Sequence, residues 1–266
     1  LREVVEVVND GNFDAVHLHY DQYAEIMPHL KCEKKMITSH YPYLENPEPQ
    51  YVFLYDLLKR SESHVVSLSD RIKKEFVARG IDSTNVSVLP CGIDTDLYTL
   101  DETDVLYPDR SIVVGKIEPR KRQSFLQHKD LNIDFIGNNT DSSFDELDPH
   151  YLGEQSKQDI MDNLTAYASM VLLSSGEAHP FVCLEGMAAG LGLVLSEQST
   201  ANLDISQPFI TVIPDDKLDD TTYLNQKIKE NRKISLTMRK DIRKYCLDNF
   251  DWSSIIKQYK SIIDNI

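Results

Sequence analysis

The sequence predicts an α/β protein built from two parallel-sheet units, and three observations carry that prediction. Nine short apolar runs alternate with helix-length segments, the signature of repeated βα units. Several runs are unbroken Val/Ile/Leu stretches, as strands covered on both faces require. The composition then changes over 94–110, an acidic, turn-rich stretch without periodicity that reads as the connection between two units.

In order along the chain, residues 1–8 mix charged with apolar positions. They read as a helix entered from upstream and lack the order of a signal peptide. Strands are expected over 15–19, 35–39, 65–69, 86–89, 112–115, 133–137, 170–174, 193–196 and 210–213. Ile72, Phe76 and Val77 recur at helical spacing behind Ser69, a good N-cap, and Gly80 closes that helix. Ile160, Met161, Leu164 and Ala168 repeat the helical pattern, as do Ile255, Ile256, Tyr259, Ile262 and Ile263. The polar stretch 138–149 reads as a mobile surface loop.

Composition narrows the function classes. At 41% hydrophobic and 27% charged, the chain has the balance of a soluble globular protein. No apolar run approaches the roughly 18 residues that a membrane helix needs, so stable membrane insertion is not expected. The widely spaced cysteines Cys32, Cys91, Cys183 and Cys246 form no C-x-x-C pair, which favours a reduced, cytoplasmic protein over a zinc-bound one. Lys plus Arg number 28 against 43 Asp plus Glu, a net charge of −15 that disfavours nucleic acid as a partner.

Three segments carry chemistry. The first, 174–192, reads SSGEAHPFVCLEGMAAGLG: an apolar strand, a turn, then a short Ala- and Met-rich helix. Glu177 falls in the turn and Glu185, eight positions on, inside the helix. In such a βα unit both carboxylates and the helix N-terminus face the crevice at the carboxyl ends of the strands. Free amides there suit sugar hydroxyls and a diphosphate. On spacing alone, chance accounts for the pair, because 43 acidic residues make many such pairs. The second segment, 112–122, reads IVVGKIEPRKR. A strand ends at Gly115 and Lys116, Arg120, Lys121 and Arg122 follow, a basic cluster fit for a diphosphate in an otherwise acidic chain. Within it Arg120 and Arg122 read as solvated loop charges. The third, 36–44, reads MITSHYPYL and places His40 just past a strand; a lone histidine is more often structural or merely exposed.

Taken together these strings resemble glycosyltransferase family 4. Ser174, Glu177, residues 180–184, Glu185, Met187, Ala188 and Gly190 match its E-x7-E signature, with Gly186 where the family usually has Ala and His179-Pro180 where it often has Phe-Gly. Residues 112–122 resemble its V-G-R-x-x-P-x-K-G stretch, with Lys116 in place of the Arg, Lys121 on the Lys and Arg122 in place of the Gly. His40 in its T-x-H setting is similar to the family's N-domain histidine. Weaker echoes are 88–94, similar to I-P-N-G-V-D, and Phe250-Asp251-Trp252, similar to the F-x-W before a returning last helix. The Gly-rich first loop and upstream βα units of the family are missing, as in a fragment or a shortened enzyme.

The resemblance implies a GT-B fold, two Rossmann-like domains facing a cleft, the N-terminal one incomplete. The expected division is a partial acceptor-side domain over 1–95, a linker over 96–110, a nucleotide-sugar-binding domain over 111–251, and a C-terminal helix over 252–266 returning to the first domain. It implies a retaining transfer of a hexose from a UDP-, GDP- or ADP-hexose to the hydroxyl of a glycan, lipid or small-molecule acceptor, with no cofactor and no metal. Lys116 and Lys121 would hold the diphosphate and Glu185 the ribose. His179, Pro180, Phe181 and Val182 would line the sugar subsite, and Glu177 and His40 would act at the sugar. The competing reading is a non-catalytic nucleotide-sugar-binding or assembly subunit; a GT-B epimerase or phosphorylase is disfavoured by the E-x7-E placement. Asp94-Thr95-Asp96 is a D-x-D without supporting context, and His17-x-His19 lacks further metal ligands at readable spacing.

Overall fold

The computed structural model describes residues 1–41, 52–103 and 105–266. Positions 42–44 of the His40 segment and position 104 of the acidic connection lie outside the described residues. Two compact units emerge: Leu1–Cys91 with Ser253–Ile266, and Gly92–Trp252.

The N-terminal unit is a parallel sheet ordered β1-β2-β3-β4, from Ala15–Leu18, Lys34–Thr38, His64–Ser67 and Val86–Val88. The register sets Ala15 beside Lys34, Met36 beside His64 and Val65 beside Val86. Helices α1 (Arg2–Asp10), α2 (Val52–Arg60) and α3 (Asp70–Ala78) accompany it. Met27, Ile37, Leu54, Leu58, Ile72 and Phe76 form its buried core. The predicted cap is present: the Ser69 hydroxyl accepts from the Ile72 amide, and Gly80 sits at φ +90 just past the helix end.

The C-terminal unit is a parallel sheet ordered β6-β5-β7-β8-β9: Ile133–Ile136, Tyr107–Val114, Tyr167–Leu172, Gly192–Ser196 and Ile210–Ile213. β7 and β8 are buried at every position, which explains their unbroken apolar runs. Flanking helices are α4 (Gln123–Gln127), α5 (Lys157–Asn163), α6 (Phe181–Ala188), α7 (Thr221–Thr237) and α8 (Arg239–Phe250). The last helix, α9 (Trp252–Asn265), lies from Ser253 onward in the N-terminal unit.

Two sequence expectations are corrected. Ala168 belongs to β7 rather than to the helix read from Ile160, because α5 ends at Asn163 and a single 3-10 turn leads into the strand. The 138–149 stretch is a loop as expected, and it is anchored to the sheet. Phe144 is buried beside Phe135 in the core, and the Asp141 carboxylate accepts from the Ser124 and Ser143 hydroxyls. The second correction is at β5, which starts at Tyr107, inside the 96–110 stretch. The Tyr107 ring packs 5.1 Å from Tyr167, and Arg110 binds the buried Asp134, so polar residues there still pair.

Both strand ends nearest the site are shaped by glycine. Gly137 is at φ +149, and a Cβ on it would lie 2.0 Å from the Gly115 carbonyl oxygen, so the β5 and β6 ends approach as only glycine permits. Gly186 has a different reason: a Cβ there would meet the Met170 sulfur at 2.9 Å. This chain fills with a methionine on β7 the space that an alanine on α6 would take.

Candidate functional site

The sheet order of the C-terminal unit reverses between β5 and β7. From β5 the chain turns to β6 on one side, then crosses back to β7 on the other. In open parallel sheets ligands bind outside the carboxyl ends of the two strands at such a reversal. The two chemistry-bearing segments of the sequence occupy those two ends.

The loops after β5 and β7 are stitched together. The Ser175 amide donates to the Arg120 carbonyl at 2.8 Å. The Arg122 guanidinium donates to the Leu173 carbonyl at 3.1 Å, and the Arg120 guanidinium to the Gly176 carbonyl. Arg122 stands at φ 58, a left-handed conformation that costs a non-glycine residue about 1 kcal/mol and suits the glycine usual in the resembling stretch. Its bond to Leu173 offsets that cost.

Glu177 sits at the centre of this stitching. Its carboxylate accepts from the Ser174 hydroxyl at 2.7 Å and the Arg120 guanidinium at 3.2 Å, with the Lys121 ammonium at 3.8 Å. The side chain is 12% exposed, so the carboxylate is sheltered and paired with cations. Lys121, 15% exposed, passes over Gly115, where a Cβ would stand 3.2 Å from its nitrogen. Lys116 is 57% exposed and lies 3.8 Å from Glu118, which also binds Arg120 at 2.6 Å. Arg120 and Arg122 are therefore not solvated loop charges: one braces Glu177 and Glu118, the other ties the loops.

Glu185 projects from α6, and one of its oxygens accepts from the Tyr98 hydroxyl at 2.8 Å. Burial pushes its carboxyl above the usual range, opposed first by the Tyr98 hydrogen bond and then by Lys157 and Lys121. Pro180 at the head of α6 offers no side-chain cap; the Cys183 amide donates to the Pro180 carbonyl at 2.9 Å, which leaves the Phe181 and Val182 amides at the helix start for a ligand. Of the four residues assigned to a sugar subsite, Phe181 is exposed and Val182 half-buried, while Pro180 is buried. His179 is 6% exposed, its ring 5.7 Å from Phe250, and burial lowers its pKa to about 4.

In the N-terminal unit His40 is exposed just beyond β2, its Nε2 3.2 Å from Nδ1 of His19. The His19 ring is 4.0 Å from that of His17, which hydrogen-bonds Tyr259 at 2.8 Å and Thr38 at 2.7 Å. Burial, then the neighbouring His19 and His40, lowers His17 to about 4. His40 is lowered by burial and His19, partly opposed by Asp21. His17 and His40 are thus held toward their neutral forms, in hydrogen-bonding and ring contact with His19. The H-x-H motif on β1 signalled His19, but only the β1–β2 pairing brings it to His40. The cavity of 680 Å³ lined by Lys34, Lys59, His64 and Asp82 lies at the amino ends of β2 and β3, away from His40.

Asp94 caps a 3-10 turn, accepting from the Asp96 amide at 3.1 Å, so the D-x-D is a turn element. Among the described residues no group of three or more His, Cys, Asp or Glu is arranged to hold a metal ion. No helix among them is long and apolar enough to cross a membrane.

Comparison with known proteins adds three findings. Residues 1–97 match the model of Glycosyltransferase Family 4. No curated protein matches the sequence. Among solved structures, HepE of Anabaena, in complex with UDP-glucose, is similar with a TM-score of 0.79 and 17% identity, covering 100% of this chain and 82% of that one. Sucrose-phosphate synthase of Thermosynechococcus elongatus follows with 0.76, 15%, 100% and 77%, and a glycosyltransferase of Rickettsia africae with 0.70, 16%, 99% and 79%. At such identities the likeness establishes the fold: two parallel α/β units of the GT-B kind.

Proposed function

We propose that this chain, which has a GT-B fold and whose residues 1–97 match the glycosyltransferase family 4 model, transfers a hexose from a nucleotide diphosphate sugar to an acceptor hydroxyl, with retention at the anomeric carbon. The observation that carries the proposal is the Glu177 carboxylate, held by Ser174 and Arg120 beside Lys121 at the reversal of the sheet. Glycosyl transfer must stabilise negative charge on the departing diphosphate and positive charge on the sugar ring at once. Lys121 and Lys116, with the free amides at the head of α6, supply preorganised positive charge for the first. Glu177 supplies negative charge for the second, and Glu185 accepts hydrogen bonds from the ribose hydroxyls. His179, Pro180, Phe181 and Val182 belong to the sugar subsite, Phe181 and Val182 through their accessible faces. His40 is assigned to the sugar on resemblance, supported by its exposure and its neutral state.

Glu177 is already engaged by two cations and offers a poor nucleophile, which favours front-face attack assisted by the leaving phosphate over a double displacement. The same cations make the transfer metal-independent in this reading, and the free thiols fit a reducing cytoplasm. The UDP-glucose bound by HepE makes UDP-glucose the first donor to try.

The test is a thermal-shift panel of UDP-, GDP- and ADP-hexoses with and without EDTA, followed by a transfer assay on the donor that binds. A donor at about a hundred times its dissociation constant stabilises the fold by about 2.7 kcal/mol. The expected result is one preferred donor whose binding survives EDTA and whose sugar is transferred. Binding without transfer to any acceptor favours a nucleotide-sugar-binding subunit, and no binding overturns the reading.

A further inference from the structure

Glu185 is held from a distant part of the chain. Tyr98 follows the 3-10 turn Thr95–Leu97, is 4% exposed, and sends its hydroxyl to one oxygen of Glu185 at 2.8 Å. Both partners are fixed by one arginine of α8. Arg243 donates to the carbonyls of Tyr98 at 2.7 Å and Thr95 at 2.7 Å, and to the Ala188 carbonyl at 2.8 Å in the last turn of α6, the helix that carries Glu185. The other Glu185 oxygen has no hydrogen bond among the described residues.

We propose that Tyr98 is a positioning residue for ribose recognition: it clamps one oxygen of Glu185 so that the other stands ready for the ribose hydroxyls of a nucleoside diphosphate. The proposal rests on the reading of Glu185 as the ribose acceptor. A carboxylate on a two-torsion stem loses rotational freedom when it binds a diol; a buried phenol anchored by backbone removes that freedom beforehand. The phenol also acts on charge. Burial raises the Glu185 pKa, and the Tyr98 hydrogen bond is the largest influence opposing it, ahead of Lys157 at the start of α5 and Lys121 in the loop after β5. The Cys183 thiol on α6 and Cys246 on α8, both pushed up by burial, stay neutral near the pair. Without Tyr98 the carboxylate takes up a proton at higher pH, and a protonated acid no longer accepts from both hydroxyls.

The experiment titrates UDP, GDP and ADP, with their 2′-deoxy and 3′-deoxy forms, into the parent chain, Tyr98→Phe, Glu185→Gln and the double variant, across pH. Phenylalanine fills the same space, so the variant tests the hydroxyl alone. The expected result is about tenfold weaker ribonucleotide binding in Tyr98→Phe. The loss vanishes for a deoxy form, is not repeated in the Glu185→Gln background, and comes with an acid limb moved to higher pH. Equal losses for ribo and deoxy forms, or an unmoved limb, reduce Tyr98 to a packing role and overturn the inference. Loss of binding in Glu185→Gln with none in Tyr98→Phe overturns it and leaves the ribose assignment standing. Failure of all three diphosphates to bind the parent overturns the nucleotide-sugar reading itself.

Discussion

The sheet of Gly92–Trp252 reverses direction between β5 and β7, whereas the sheet of the N-terminal unit steps one way from β1 to β4. At the reversal the chain gathers opposed charges: Glu177 and Glu118 against Arg120, Lys121 and Lys116. At the ends of β1 and β2 it gathers His17, His19 and His40 in ring and hydrogen-bond contact, with burial lowering the pKa of His17 and His40. Topology thus separates two kinds of chemistry. The reversal is where open parallel sheets bind ligands, and here it carries paired charges, while the one-way sheet end carries hydrogen-bonding rings.

The comparison breaks most visibly at Glu177. Glu177→Gln keeps the shape and the Ser174 contact but removes the charge that faces a developing cation, so kcat falls by about two to three orders of magnitude. Lys121 is released from its ion pair, so nucleoside diphosphate affinity stays equal or rises. A parent-like turnover in steady-state kinetics contradicts the assignment.

Next in size are the lysines. Lys121 is sheltered and Lys116 exposed, so Lys121→Ala weakens diphosphate binding by about 1.5–3 kcal/mol and Lys116→Ala by less than about 1 kcal/mol. Calorimetric titration of both variants checks the ranking, and equal losses would reduce the cluster to a diffuse patch. Arg120→Ala is expected to lower kcat and the melting temperature with little change in diphosphate affinity, because its partners are Glu177, Glu118 and Gly176.

The smallest expected effect concerns pH. His17 and His179 have folded pKa values near 4, below the ordinary 6.5, so the unfolded chain binds more protons between those limits. Their contribution to stability is complete above about pH 6.5 and is lost as pH falls toward 4. His179→Phe, packing against Phe250, should flatten part of that acid limb in melting curves; an unchanged slope refutes the assignment to His179.

The strands were legible where they are short apolar runs, β7 and β8 above all, and Glu177, Glu185, Lys116 and Lys121 because each lies within one βα turn of local sequence. Tyr98 was not legible: it stands 87 positions from Glu185, and nothing near it marks a partner. Arg120 looked like a loop charge because its partner Glu177 lies 57 positions on, joined only by the β5–β7 pairing. Polar Tyr107–Arg110 hid the start of β5, since its strand character comes from Tyr167 and Asp134 rather than from apolar residues. Local strings therefore disclosed which charged residues stand at the β5 and β7 ends, and long-range pairing decided which residues hold them.

The most direct test of the central claim is amide hydrogen exchange with and without the nucleoside diphosphate that the donor panel selects. The account predicts protection of the amides of 115–122 and 174–186, on both sides of the β5–β7 reversal. Protection confined to the ends of β1 and β2, or to the cavity at the amino ends of β2 and β3, with those two loops unchanged, would contradict it.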